Sequence, residues 1–223
     1  RQWAIKKKKD SAQWRSEAMA DIFIHGLGQS PVSWEETISG LDTATDIYCP
    51  DLSEMLKNKE ISYMNLYTAF SKYCDKISGT INLCGLSLGG VVALEYAIEH
   101  PDKIDSLILI AAQYRMPKKL LAFQNVIFKF MPEKMFGEMG FGKEEFIALS
   151  KSMMHIDLSR ELKKIKCPVL LLCGERDKAN KKASVGLSKE IMDSRLMYIE
   201  NSGHEVNKDN PKKLAEVINE FYA

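Results

Sequence analysis

The stretch INLCGLSLGGVVALEYA, residues 81–97, places one serine among three glycines between an apolar run and a helix-like run. Glycine is a poor residue in helix and strand interiors alike, so packing alone does not account for Gly85, Gly89 and Gly90 around Ser87. A sharp strand-to-helix turn does. In the pattern G-x-S-x-G such a turn holds the serine in strained backbone geometry and lifts its hydroxyl above the sheet. Side chains two positions either side of Ser87 would meet the crossing backbone, so glycine is wanted at 85 and 89, while Gly90 eases helix–strand contact. The competing reading is a plain strand–helix turn with a buried serine. The run has neither the lysine of a P-loop nor G-x-G-x-x-G spacing, and no H-E-x-x-H occurs, so no metal and no cofactor are expected.

On either side of this stretch, short apolar runs alternate with amphipathic ones. Strands are predicted at 21–26, 46–50, 80–85, 106–112, 167–174 and 195–200, and helices near 33–40, 61–77, 88–99, 181–192 and 211–222. Most strand runs are continuously apolar, as strands covered on both faces should be. The alternation predicts an α/β architecture, a doubly wound, mostly parallel sheet. The core spans 19–112 and 167–223. Between them, residues 113–166 carry no strand signal and are too long for a bare loop, so they read as a helical insertion. This insertion is rich in Met and Phe, which suits ordinary helix packing or an adaptable apolar cap over a site. On the second reading Met116, Phe123, Phe128, Met135 and Met154 are candidate pocket residues.

Composition narrows the classes. The 223 residues are 45% hydrophobic and 27% charged with a net charge of +1, a balance that gives no reason to expect nucleic acid as a partner. Five cysteines without a C-x-x-C pair suggest neither zinc nor a disulfide framework and fit a reducing compartment, so the expected location is the cytoplasm. No apolar run reaches the ~20 residues of a membrane span, and no membrane insertion is expected. Residues 1–18, with the Lys6–Lys9 run, read as a solvated, flexible tail, either added or processed, with Met19 as a natural start. Oligomeric state is not legible.

A serine hydroxyl needs a base, and the base an orienting acid. Of four histidines, His100 ends a helix before a proline and His155 lies in the insertion. His25 follows the first parallel strand beside Gly26, where it supports a loop. His204, in NSGHEVNKDNP between the last strand and the last helix, is placed to swing toward the carboxyl edge of the sheet and is the expected base. After the strand LLLCG come Glu175 and Asp177, of which Asp177 is the preferred acid. The order Ser87, Asp177, His204 is that of the α/β-hydrolases.

HGLGQSPVSW, GLSLGG, GERD and NSGHEVNKDNP together resemble the corresponding blocks of the α/β-hydrolase superfamily, in its esterase/lipase-like branch, from about Asp21 to the C-terminus. The resemblance implies that Ser87 is the nucleophile, that 113–166 form a cap, and that the backbone N–H groups of Leu27 and Leu88 make an oxyanion hole. A helix N-terminus at Leu88 would favour developing negative charge. The family usually opens with an antiparallel hairpin, which residues 1–20 match poorly. The expected activity is a serine carboxylesterase for small to medium apolar esters, with a small-molecule ester as substrate. Similar proteins include thioesterases, carbon–carbon bond hydrolases and a menaquinone-pathway lyase, and a non-catalytic ligand-binding or sensor protein is the alternative from another class.

Overall fold

The computed structural model describes residues 4–5, 20–136 and 141–223, with the side chains of Ala4, Ile5, Lys119, Leu120 and Phe123 outside that description. The strands are β1 (Ala4–Ile5), β2 (Ala20–Ile24), β3 (Asp46–Tyr48), β4 (Ile81–Leu86), β5 (Ile104–Ile110), β6 (Val169–Gly174) and β7 (Ser194–Ile199). They form one sheet in the order β1-β3-β2-β4-β5-β6-β7, and every pairing is parallel except β1 with β3. Of the tail predicted over 1–18, the described residues are Ala4 and Ile5, which pair antiparallel with Tyr48 and Ile47 at the sheet edge. The rest of that expectation lies outside the described residues.

Side chains two apart along a strand share a face, and here that period divides the core in two. Ile22, Ile24, Ile81, Leu83, Leu107, Leu109, Val169 and Leu171 belong to one cluster, with Leu66 and Phe70 of α3 (Tyr63–Cys74) and Val91 and Val92 of α4 (Leu88–Glu99). Phe23, Cys84, Leu86, Ile108, Ile110, Leu170 and Leu172 belong to the other. There they meet Ile38 of α1 (Glu35–Ser39) and Leu214, Val217 and Ile218 of α9 (Pro211–Tyr222). Both faces of the sheet are thus covered, which is why its strands read as unbroken apolar runs.

One polar row interrupts this. Asp21, Asn82 and Ser106 are paired in register across β2, β4 and β5, and all three are buried. Ser106 Oγ donates to Asn82 Oδ1 at 2.7 Å, and Asn82 Nδ2 donates to Asp21 Oδ1 at 2.8 Å. Thr43 closes the row on Asp21 Oδ2 at 2.9 Å. A one-residue slip of β4 would bury each of these groups unpaired, so the row specifies the register.

Departures from the predicted elements are local. The helix expected over 33–40 divides into a 3-10 turn at Pro31–Trp34 and α1. The run expected as strand over 106–112 ends at Ile110, because Ala111 takes a positive φ of 51°. Two short helices escaped the periodicity. These are α2 (Leu52–Leu56), capped by the Asp51 side chain on Ser53 N at 2.9 Å, and α8 (Val206–Asp209). The remaining core helix, α7 (Lys181–Glu190), packs on β6 and β7.

Between β5 and β6 the chain forms α5 (Lys118–Phe130) and α6 (Lys143–Ser152), with 3-10 turns at Glu133–Met135, Met153–His155 and Leu162–Lys164. Its two ends are tied together: Met116 N donates to Ile156 O at 3.1 Å, and Leu158 N to Tyr114 O at 2.8 Å. Phe128, Phe136 and Phe146 meet edge to face, with centroids 5.0–6.5 Å apart. Part of the Met/Phe content therefore serves helix packing.

Candidate active site

Ser87 sits between β4 and α4 with φ 54° and ψ −112°, a positive φ on a residue with a β-carbon. Such backbone is strained and persists only where its surroundings over-determine it. Here they do. Ser87 N donates to Ile110 O at 2.9 Å on the neighbouring strand, and Ser87 O accepts from Val91 N at 3.0 Å in the helix. Neither flanking glycine has space for a side chain. A β-carbon on Gly85 would overlap the Gly89 carbonyl, and one on Gly89 would overlap the Ile24 carbonyl and lie 2.7 Å from His25 O. At Gly90 it would lie 2.7 Å from Ala112 Cβ, where the helix crosses the end of β5.

His204 Nε2 lies 3.0 Å from Ser87 Oγ, and its Nδ1 lies 2.9 Å from Asp177 Oδ2. The two loops that carry Asp177 and His204 meet at Gly174, the last residue of β6. A β-carbon there would overlap the Gly203 carbonyl, so glycine lets the His204 loop cross directly above the strand. Arg176 N reaches Ser202 O at 2.8 Å across the same crossing.

Asp177 is buried and His204 is partly open, with side-chain exposures of 5% and 44%. Burial pushes the Asp177 carboxyl up, but hydrogen bonds from His204 and Asn180 outweigh it and hold the pKa below the usual value. Asn180 Nδ2 donates to both carboxylate oxygens, at 3.0 and 2.8 Å, and its backbone N–H donates to Oδ1 at 3.2 Å. Its own Oδ1 accepts from Gln113 Nε2 at 2.7 Å. A carboxylate so held accepts a hydrogen bond from His204 Nδ1–H, which leaves Nε2 as the acceptor facing the Ser87 hydroxyl.

The predicted supporting residues lie beside this group. His25 is buried, its Nδ1 2.9 Å from Gly26 O, while its Nε2 accepts from Leu52 N at 3.1 Å. One nitrogen donates and the other accepts, so the ring is neutral. Burial lowers its pKa, against the opposing pull of the Gly26 carbonyl and the Asp51 charge. Both its nitrogens are occupied by backbone.

Leu27 and Leu88 flank Ser87 in a cavity of about 220 Å³. Leu88 opens α4, so its N–H is one of the first-turn donors with no partner in the helix. Of the predicted pocket residues, Met116 and Phe128 line this cavity. Met135 does not: it lies half exposed in a 3-10 turn that buries none of its residues. Met154 is not among the lining residues either, since in the turn after α6 it is Met153 that faces the cavity. The Phe123 side chain lies outside the described residues. Gln113, Leu121, Gln124, Phe146, Ser150 and Asn180 also line it and were not anticipated. The helical spacing of 121, 124 and 128 and of 146, 150 and 153 was the available signal.

Residues 22–144, more than half of the chain, match the family model of the alpha/beta hydrolase fold, and the chain belongs to that family. Among curated relatives, it is 23% identical over 239 aligned positions to a pimeloyl-acyl-carrier-protein methyl ester esterase of Aeromonas hydrophila, covering 90% of this chain and 94% of the relative. The enol-lactonase of Burkholderia xenovorans superposes with a TM-score of 0.80 at 17% identity, over 92% of this chain and 91% of the lactonase. A thermophilic esterase of Thermogutta terrifontis superposes with a TM-score of 0.75 at 20% identity, over 92% and 89%. Among the described residues no helix is long and apolar enough to cross a membrane.

Proposed function

We propose that the chain is a serine hydrolase that cleaves carboxylic esters by acyl transfer. The observation that carries this reading is the unbroken chain of contacts from Ser87 Oγ to His204 Nε2, and from His204 Nδ1 to Asp177, at 3.0 and 2.9 Å. His204 takes the Ser87 proton as Oγ attacks the ester carbonyl carbon, and Asp177 stabilises the imidazolium that forms. The carbonyl oxygen becomes an oxyanion, held by the N–H groups of Leu27 and Leu88. Collapse expels the alkoxide, which takes the proton from His204 and leaves as the alcohol. Water then enters, His204 deprotonates it, and the acyl group departs as the acid with Ser87 restored.

Residues 113–166 act as a cap in this reading. Both α5 and α6 contribute side chains to the cavity that holds Ser87, so the excursion determines which esters fit. The Aeromonas relative is named for a methyl ester, and this supports an ester as the substrate class.

The test is reaction with a fluorophosphonate probe together with turnover of p-nitrophenyl esters of graded acyl length. The expected result is a label on Ser87, lost in Ser87→Ala, and hydrolysis that peaks beyond acetate. An unlabelled protein with no turnover is the outcome for a ligand-binding protein of this fold and overturns the proposal.

A further inference from the structure

The two helices over Ser87 present matching stripes to the cavity. On α5 the lining residues are Leu121, Gln124 and Phe128, and from α6 and its following turn they are Phe146, Ser150 and Met153. These spacings, 3 then 4 and 4 then 3, put each set on one helix face. Each stripe is apolar at both ends and polar in the middle.

Ser150 is 2% exposed, yet among the described residues its hydroxyl has no hydrogen-bond partner. Nor does the Gln124 amide. A serine in a helix has a ready partner in the carbonyl one turn back, and Ser152 uses the one at Leu149 at 2.7 Å while accepting from Tyr63 N at 2.8 Å. Ser150 forgoes that bond and faces the cavity instead. Its oxygen is not among the sealed, unpaired side-chain atoms of the described residues, so the hydroxyl is open to the cavity and its partner is whatever enters there. Among the described residues no Asp, Glu, Lys or Arg side chain lines this space, so a charged group would be buried there without a counter-charge. Serine hydroxyl and glutamine amide each donate and accept, and both suit a neutral oxygen.

Building on the serine-hydrolase reading, we propose that Ser150 and Gln124 are specificity-determining residues for an ester whose longer group carries a neutral oxygen function, keto or hydroxyl, partway along an otherwise apolar chain. The apolar ends of the stripes take the chain on either side of that oxygen. An unsubstituted alkyl chain fills the same volume but leaves both polar side chains unpaired.

The experiment compares p-nitrophenyl octanoate with its 4-, 5- and 6-oxo counterparts, and octyl acetate with the corresponding oxo-octyl acetates, in the wild type, Ser150→Ala and Gln124→Met. The expected result is that one oxo ester exceeds its alkyl parent in kcat/KM by about tenfold, the worth of one to two hydrogen bonds. That ratio should move toward one in each variant. A wild type that prefers the alkyl parent throughout both series overturns the proposal, as does a preference that survives both substitutions. Fluorophosphonate labelling keeps the two readings apart. If Ser87 is labelled and no oxo preference appears, this inference alone fails; if Ser87 is unlabelled and no ester is cleaved, it falls together with the hydrolase reading.

Discussion

Gln29 and Asn207, 178 positions apart in the chain, exchange hydrogen bonds in both directions. Gln29 Nε2 donates to Asn207 Oδ1 at 3.1 Å, and Asn207 Nδ2 donates to Gln29 Oε1 at 3.1 Å. Both side chains are buried. Gln29 also accepts from Gly26 N at 3.3 Å and donates to Glu205 Oε1 at 2.8 Å, while Asn207 donates to Ser33 O at 3.1 Å. The pair thus joins the loop that carries Leu27 to the loop that carries His204.

This clamp makes Asn207 a positioning residue. Asn207→Ala leaves the Gln29 amide buried and short of partners, at a cost of about 1–3 kcal/mol in stability. In the proposed reaction it also loosens an oxyanion donor relative to the base, so kcat should fall about 10–100-fold, more than KM rises. Steady-state kinetics with thermal denaturation check this. Loss of stability with kcat unchanged would reduce the clamp to a structural role.

Sheet and site differ in how far they could be read in advance. The sheet was legible because β4, β5 and β6 are covered on both faces, and unbroken apolar runs such as VLLLCG admit few other readings. The meeting of Ser87, Asp177 and His204 at one edge of the sheet was legible because each follows or closes a strand with its own glycine signal. The Gln29–Asn207 pair and Asn180 were not, since a lone amide residue in a loop has no periodicity and its partner lies far along the chain. The cavity lining was half legible. Met and Phe content marked the excursion, but composition does not distinguish Met153, which faces the cavity, from Met154 beside it. The two short helices, α2 and α8, lie below the length at which a 3.6-residue period can register.

Asp177→Asn tests the acid of the proposed triad. The substitution keeps the shape but removes the acceptor that holds the His204 tautomer, and kcat/KM should drop by about 10⁴-fold. It also has a stability signature. The folded pKa of Asp177 is depressed, so its contribution is present above the unfolded value and is lost as pH falls through the folded one. Acid unfolding should therefore depend less on pH in the variant below about pH 4, the ordinary carboxylate range. Identical acid-denaturation slopes for the two proteins would contradict this.

Gly89→Ala tests the elbow. The new methyl group would overlap the Ile24 carbonyl, which belongs to a central strand and cannot move alone. The expected loss is at least about 1–3 kcal/mol, the usual cost of overpacking. Gly142→Ala serves as the comparison. The site is exposed, its nearest neighbour is Glu145 Oε2 at 3.5 Å, and a change within about 0.5 kcal/mol is expected. Equal denaturation midpoints for the two variants would remove the steric account of G-x-S-x-G.

His25 gives a pH prediction away from the chemistry. Its Nε2 accepts from Leu52 N and its Nδ1 faces Gly26 O, so a second proton would set Nε2–H against an N–H donor. Burial lowers its folded pKa below the ordinary histidine value of 6.5. As pH falls below 6.5 the unfolded chain takes up a proton at this residue before the folded one does. Stability therefore declines on acidification through that window and is flat in this term above it. His25→Gln should be less stable than the wild type at pH 8, because the Leu52 N–H loses its shaped acceptor. Its stability should also fall less steeply between pH 7 and pH 5. The difference between the two proteins' unfolding free energies across that range isolates His25 from the other histidines. A difference that stays constant with pH would mean that His25 does not titrate as its surroundings demand.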